Sequence, residues 1–230
     1  MEPLSRTEAQ RLVQPFGWRF VLGSFDIRYP VASLIEAADL ASRAATAVGS
    51  ELGSHLQVLL RSDSVHLSVT SPKMNWVTNV EVDLVQAIAA GLERPGWTPA
   101  PPTTRGASTP VARHEWCIDA TDIPTVRAFW KAVLGYVDSP VEGDLQIVDP
   151  NGMHPPIWFQ TMDVPRTERN RLHLDVSVPH DEAEGRIAAG LAAGGAVGPT
   201  SVSPAFTVLI DPEGNEVCVC TWSGRDELGW

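Results

Sequence analysis

Across 230 residues, 17 lysines and arginines stand against 28 aspartates and glutamates, a formal net charge of −11. Nucleic acids and anionic membranes are held by a clustered basic face, so neither is an expected partner, and a small neutral or cationic ligand suits the balance better. Three cysteines, with only Cys218 and Cys220 close together, do not make the framework of a secreted disulfide scaffold. The opening MEPLSRTEAQRLV has neither the basic segment nor the apolar core of a secretory leader, and no run is long enough to cross a bilayer. The expectation is a cytoplasmic protein with reduced thiols.

Ser5 to Gln14 predicts a capped short helix stopped by Pro15, and Trp18 to Tyr29 two short strands around Gly23. Ser33 to Leu52 reads as a long helix with Leu34, Ala38, Ala41, Ala45, Val48 and Leu52 on its inward side. Leu56–Leu60 and Val65–Val69 alternate as a hairpin, and Asn79 caps a last helix that turns Leu84, Val85, Ile88 and Leu92 inward. The order is α-β-β-α-β-β-α, an α+β sandwich with helices on one sheet face.

GW at Gly17–Trp18, VHLSVTS at Val65–Ser71 and WVTNVEVDLVQAI at Trp76–Ile88 resemble the pterin-4a-carbinolamine dehydratase family, over about residues 5 to 94. That resemblance implies three proton-carrying histidines, and the matching positions here are Ser54, His55 and Pro72, with Leu56 in place of the family's proline. Only His55 remains, either as a lone general base or as an edge histidine at a helix-to-strand joint. The polar face His66, Ser68 and Thr70 reads as a solvated or intersubunit side of a strand.

Residues 95–112, PGWTPAPPTTRGASTPVA, form a proline-rich linker between domains expected at 1–94 and 113–230, with Trp97 docking on the first.

Beyond it a strand at Arg113–Ala120, an N-cap at Asp122 and a helix face of Val126, Phe129, Trp130, Val133 and Leu134 ending at Gly135 lead into the DPNG turn and a strand at Pro156–Met162. The order then repeats at an offset of 58, through NRLHLDVSV (Asn170–Val178), a helix from about Asp181 to Ala193, a strand at Phe206–Ile210, the DPEG turn and a strand at Glu216–Trp222. The offset pairs Arg113 with Arg171, Glu115 with His173 and Gln160 with Cys218.

These tandem β-α-β-β units, with DATDIPTVRAFWKAVLGY, NRLHLDVSV and DPEGNEVCV in order, resemble the glyoxalase-like members of the vicinal oxygen chelate superfamily, which implies a cup-shaped sheet. Carried over, its four metal-ligand positions are Glu115, Gln160, His173 and Cys218, which puts a divalent metal forward as the one expected cofactor. Glutamate, histidine and thiolate all bind zinc, but the amide is a weak ligand and the mixture matches no common site. Cys218 reads equally as a small buried strand residue. Without metal, His173 and Glu115 should face one another across the cavity and can transfer protons. Trp158, with Gln160 and Cys218, lines the ligand pocket, Trp116 is core, and Arg113 and Arg171 at the two strand starts either flank the mouth or are solvated strand ends.

Three readings stay open: a glyoxalase-like enzyme using Glu115 and His173; a lyase dehydrating a 4a-hydroxytetrahydrobiopterin-type carbinolamine through His55; and a non-catalytic, ligand-sequestering protein. A pterin or similar bicyclic heterocycle is the ligand that joins both halves, and both resemblances imply a homodimer or higher oligomer.

Overall fold

The computed structural model describes residues 2–93, 96–99, 112–140 and 142–229. The chain divides into two compact units, Met1–Arg113 and His114–Trp230. In the first, α1 (Arg6–Val13), β1 (Arg19–Val21), β2 (Ser24–Pro30), α2 (Leu34–Val48), β3 (Leu56–Leu60), β4 (Ser64–Val69) and α3 (Asn79–Gly91) follow in the expected element order. The strands make one antiparallel sheet, ordered β1-β2-β4-β3. Alternation sends Phe25, Ile27, Val65 and Leu67 into a core with Leu40, Val85 and Ile88 of the helices, and leaves Asp26, His66 and Ser68 on the other face.

Two local expectations shift. The inward face of α2 is Ala37, Leu40, Ala44 and Val48, while Leu34 is 56% exposed and Ala38 and Ala45 face solvent. Alanines all round the helix leave its phase open, and Leu40, the larger apolar group, sets it. Gly49, at φ +74°, also ends α2 before Leu52. The cap of α3 is Thr78 rather than Asn79, in a capping box with Glu81, and Leu84, Val85, Ile88 and Leu92 are buried as expected.

The expected linker lies mostly outside the described residues. Within the described part, Trp97 is buried on α2, its indole donating to Glu36 Oε1 at 2.8 Å with the Arg43 guanidinium 5.6 Å from its ring. Arg113 does not flank a cavity mouth. It forks onto Asp26, with Nε to Oδ2 and Nη2 to Oδ1 both 3.1 Å, and also donates to Ser68 Oγ at 2.5 Å. Ser24 and His66 complete the shell of this wholly buried carboxylate. Burial works against its ionisation, but His66, Arg113 and Ser24 outweigh that and hold Asp26 below the usual carboxylate range.

The second unit contains β5 (Trp116–Ala120), α4 (Ile123–Leu134), β6 (Val137–Ser139), β7 (Gly143–Val148), β8 (Ile157–Thr161), β9 (Leu174–Ser177), α5 (Ala183–Ala192), β10 (Ala196–Val197), β11 (Phe206–Ile210), β12 (Glu216–Cys220) and α6 (Arg225–Leu228). It forms two four-stranded sheets, β5-β8-β7-β6 and β10-β11-β12-β9. Each module has one more strand than expected, the short β6 and β10, too brief to show a period. In each, the first strand pairs in parallel with the last. Phe129, Trp130 and Val133 of α4 and Ile187 of α5 share one core with Ile118, Phe159, Leu174 and Val217.

The repeat is real but its offset drifts. Trp116 is matched by Leu174, a shift of 58, whereas in-register Ile157 is matched by Val217, a shift of 60. Between the first strand and the turn the second module is longer, Leu174 to Asp211 against Trp116 to Asp149, and a shorter connection after DPEG than after DPNG takes back only part of that difference. The structural counterpart of Gln160 is therefore Cys220, and that of Cys218 is Trp158.

Arg113→Ala should lower unfolding free energy at pH 7 by roughly 1–3 kcal/mol, because a buried carboxylate loses a charged donor, measured by urea denaturation. A depressed folded-state pKa contributes stability that is present above the unfolded value of about 3.9 and is lost as pH falls through the folded one. The acid-unfolding midpoint should accordingly move up in the variant, where less of the shift remains; an unmoved midpoint contradicts the role of Arg113.

Candidate functional site in the second unit

The site is built on the DPEG turn. Asp211, 4% exposed, accepts from the backbone N–H groups of Glu213 and Asn215 at 2.9 Å each, from Asn215 Nδ2 at 2.7 Å and from the Trp130 indole at 2.9 Å. The turn is thereby fixed to α4. Glu213 reaches the start of that helix and accepts from the N–H groups of Thr121 and Asp122 at 2.9 and 2.6 Å, and from Thr121 Oγ1 at 2.7 Å. Partial burial works against its charge, yet these hydrogen bonds prevail and keep its carboxyl below the ordinary range. An anion is favoured at a helix N-terminus for the same reason. Asn170 Nδ2 donates to Asn215 Oδ1 at 2.6 Å and ties the segment before β9 to the turn.

From this frame β9 and β12 run side by side, with Leu174 opposite Val217 and Asp175 opposite Cys218. Period two sends Leu174, Val176, Val217 and Val219 into the helix-covered core. Asp175 and Cys218 take the other face, and His173, one residue before β9, shares it. His173 Nε2 lies 3.2 Å from Asp175 Oδ1. Ligand atoms of His173, Asp175 and Cys218 all fall within 4.8 Å of one another. Cys218 is 7% exposed. Burial first, then its hydrogen bond to Asp175 and the charges of Asp175, Cys220 and Glu216, push its thiol up to about 12. Glu216 is clasped by Arg169 through two 2.7 Å bonds, which hold its carboxyl low against partial burial, with help from the charges of Arg169 and His173.

His173 also lines a cavity of about 620 Å³. The apolar part of its lining is Trp116, Ile118, Trp130, Ile157, Leu172 and Leu174; the polar part includes Arg166, Glu168, Arg169, Asn170, Arg171, Asn215 and Glu216.

The sequence-predicted residues separate on this geometry. His173 and Cys218 lie together. Glu115 precedes β5, is exposed, and is not among the described lining residues, so it does not face His173 across the cavity; the carboxylates near His173 are Asp175 and Glu216. Gln160 pairs with Asp119 on β8, and Trp158 with Cys117; neither is among the described lining. Trp116, expected in the core, is 49% exposed and lines the cavity, at the start of the edge strand β5. Arg171 lines it as expected. His55 lies in the first unit, its Nδ1 2.6 Å from Oε1 of wholly buried Glu81, whose other oxygen serves the α3 cap.

Asp175 was missed, although HLD within NRLHLDVSV puts two ligating side chains on one strand face. Arg166 and Arg169 were missed because the segment carrying them has no period.

The family model described as a glyoxalase-like domain matches residues 115–220. The match falls wholly within the second unit. Similar solved structures include a glyoxalase/bleomycin resistance protein/dioxygenase family enzyme from Burkholderia phytofirmans, 19% identical, covering 46% of this chain and 94% of its own with a TM-score of 0.37. The fosfomycin resistance protein FosX from Mesorhizobium loti is 9% identical, with 50% and 95% covered and a TM-score of 0.40. A variant of FosX from Listeria monocytogenes, complexed with Mn(II) and 1S,2S-dihydroxypropylphosphonic acid, is 14% identical, with 50% and 92% covered and a TM-score of 0.38. No curated protein matches the chain.

The glyoxalase-like domain makes a clear prediction about its thiols. In native protein at pH 8, iodoacetamide should label exposed Cys117 first, and slowly because burial and the neighbouring Asp119 and Glu115 raise its pKa; Cys218 and Cys220 should react only on unfolding. Peptide mass mapping reads this, and rapid native labelling of Cys218 contradicts its placement.

Proposed function

We propose that the glyoxalase-like domain binds a small organic molecule in this cavity and acts on it with a divalent ion of the zinc class held by His173, Asp175 and Cys218. The observation that carries the reading is the convergence of an imidazole, a carboxylate and a thiol, the imidazole itself lining an amphipathic cavity. The donor set fits: zinc takes nitrogen, oxygen and sulfur ligands, three protein ligands leave a position open, and a coordinating thiol is deprotonated by the ion itself. When bound, such an ion supplies Lewis-acid polarisation of a ligand oxygen. Glu115, assigned by resemblance to the same ion, is not part of this group, and Gln160 lies on β8, in the other four-stranded sheet.

The chain's own residues divide the remaining work. His173 belongs to both cluster and cavity, so it sets where a ligand meets the cluster. Arg169 occupies both oxygens of Glu216, which keeps that carboxylate turned to the guanidinium. Asn170 and Asn215 hold the polar lining to the Asp211 turn.

The test is elemental analysis of untagged protein, purified without chelator, loaded with zinc and desalted. About one zinc per chain is expected in wild type and in Gln160→Ala, and a trace in His173→Ala/Cys218→Ala. Equal zinc in wild type and the double variant, or none in either, overturns the metal reading.

A second reading attaches to the first unit, where Glu81 orients His55 and leaves its other ring nitrogen for proton transfer. It expects weak dehydration of a pterin carbinolamine that disappears in His55→Ala. Identical rates in the two proteins remove it.

A further inference from the structure

From the wall chemistry of this cavity we infer that the ligand of the glyoxalase-like domain is an organic anion with a flat apolar body, its carboxylate or similar group taken by Arg166 and Arg171 and its body laid on Trp116. The inference deepens the function proposed above and rests on that reading for the cavity as the site.

Three arginines stand within six residues in the polar lining, Arg166, Arg169 and Arg171. Arg169 is matched in-chain by Glu216. Arg166 and Arg171 have no hydrogen bond or ion pair to any described residue, although the carboxylates Asp119 and Glu168 line the same cavity. Counted whole, the lining is balanced, in a chain that elsewhere carries a large acidic excess. The balance does not treat both signs of ligand alike. A guanidinium cannot shed its proton, so a cationic ligand beside Arg166 and Arg171 is repelled by both. Asp119 already accepts from the Cys117 thiol at 3.8 Å and Glu216 is clasped by Arg169, which leaves two guanidiniums against one carboxylate, Glu168, without a partner among the described residues. Guanidinium forks also match the planar, two-oxygen geometry of a carboxylate.

Trp116 is 49% exposed and Leu172 is 78% exposed, both lining the cavity. Large apolar side chains gathered on a concave surface mark a place where something apolar binds, and an indole face suits a planar ring. The ligand thus spans the two parts of the lining, ring on Trp116 and anionic group on the arginines. The whole-chain charge had pointed to a neutral or cationic ligand; the local arrangement reverses that expectation.

Calorimetric titration of the full chain, zinc-loaded, with three probes of one shape decides it: 2-naphthoate, neutral 2-naphthamide and 2-naphthylmethylammonium. Naphthoate should bind most tightly and the ammonium least. Arg166→Ala and Arg171→Ala should each weaken naphthoate about tenfold, the low end for a hydrogen bond to a charged group because both side chains are exposed, and leave the amide unchanged. Trp116→Ala should weaken naphthoate and amide alike. Naphthoate and amide binding equally, an Arg166→Ala/Arg171→Ala variant that binds naphthoate like wild type, or no naphthoate binding at millimolar concentration overturns the inference. Zinc content measured on the same samples keeps the two ideas apart. Arginine-dependent naphthoate binding without zinc overturns the metal reading alone, and zinc without naphthoate binding overturns the anion alone.

Discussion

A single buried carboxylate, Asp211, holds the second unit in working order. It gathers two backbone amides, an asparagine side chain and the indole of Trp130, so the turn, the start of β12 and the middle of α4 are fixed at one point. A carboxylate this buried must be fully hydrogen-bonded, and here each donor comes from a part of the structure that bears on the site. The register of β12 against β9 follows from the turn that starts it, and that register places Cys218 beside Asp175 and Glu216 near His173. Shifted by one residue, β12 would send its cysteines into the helix-covered core and its valines to the open face.

The elements with a strong period were legible in the sequence. The inward face of α4, Val126, Phe129, Trp130 and Val133, and the strand Phe206–Ile210 sit as their spacing indicates. The α2 phase was not, since alanine is equally content inside and outside and only Leu40 breaks the tie. Short strands such as Ala196–Val197 are held by pairing with β11 rather than by any pattern of their own.

The site was half legible. A constant offset between the modules found His173 and Cys218 but matched Gln160 to the wrong partner, because loops change length freely while strand pairing does not. Asp175 was hidden for a different reason: its importance comes from lying across the strand pair from Cys218, a relation between distant residues. The arginines of the polar lining are recognisable only once it is known which of them already have partners. Arg113 shows the converse. Its position in the repeat suggested a place at the cavity, while a buried carboxylate in the first unit offered it a stronger claim.

The parallel pairing within each module bears on how the chain reaches this state. β5 waits for β8, and β9 for β12, each about forty residues further along, so neither sheet can close until its own helix and hairpin have been made. Such distant pairings lengthen the search before any sheet contact compensates for the lost chain entropy. During synthesis the first strand of each module is left as an open edge, and the helix between is the part able to form early and shield it. The side chains of the candidate site, divided between β9 and β12, meet only when that pairing forms.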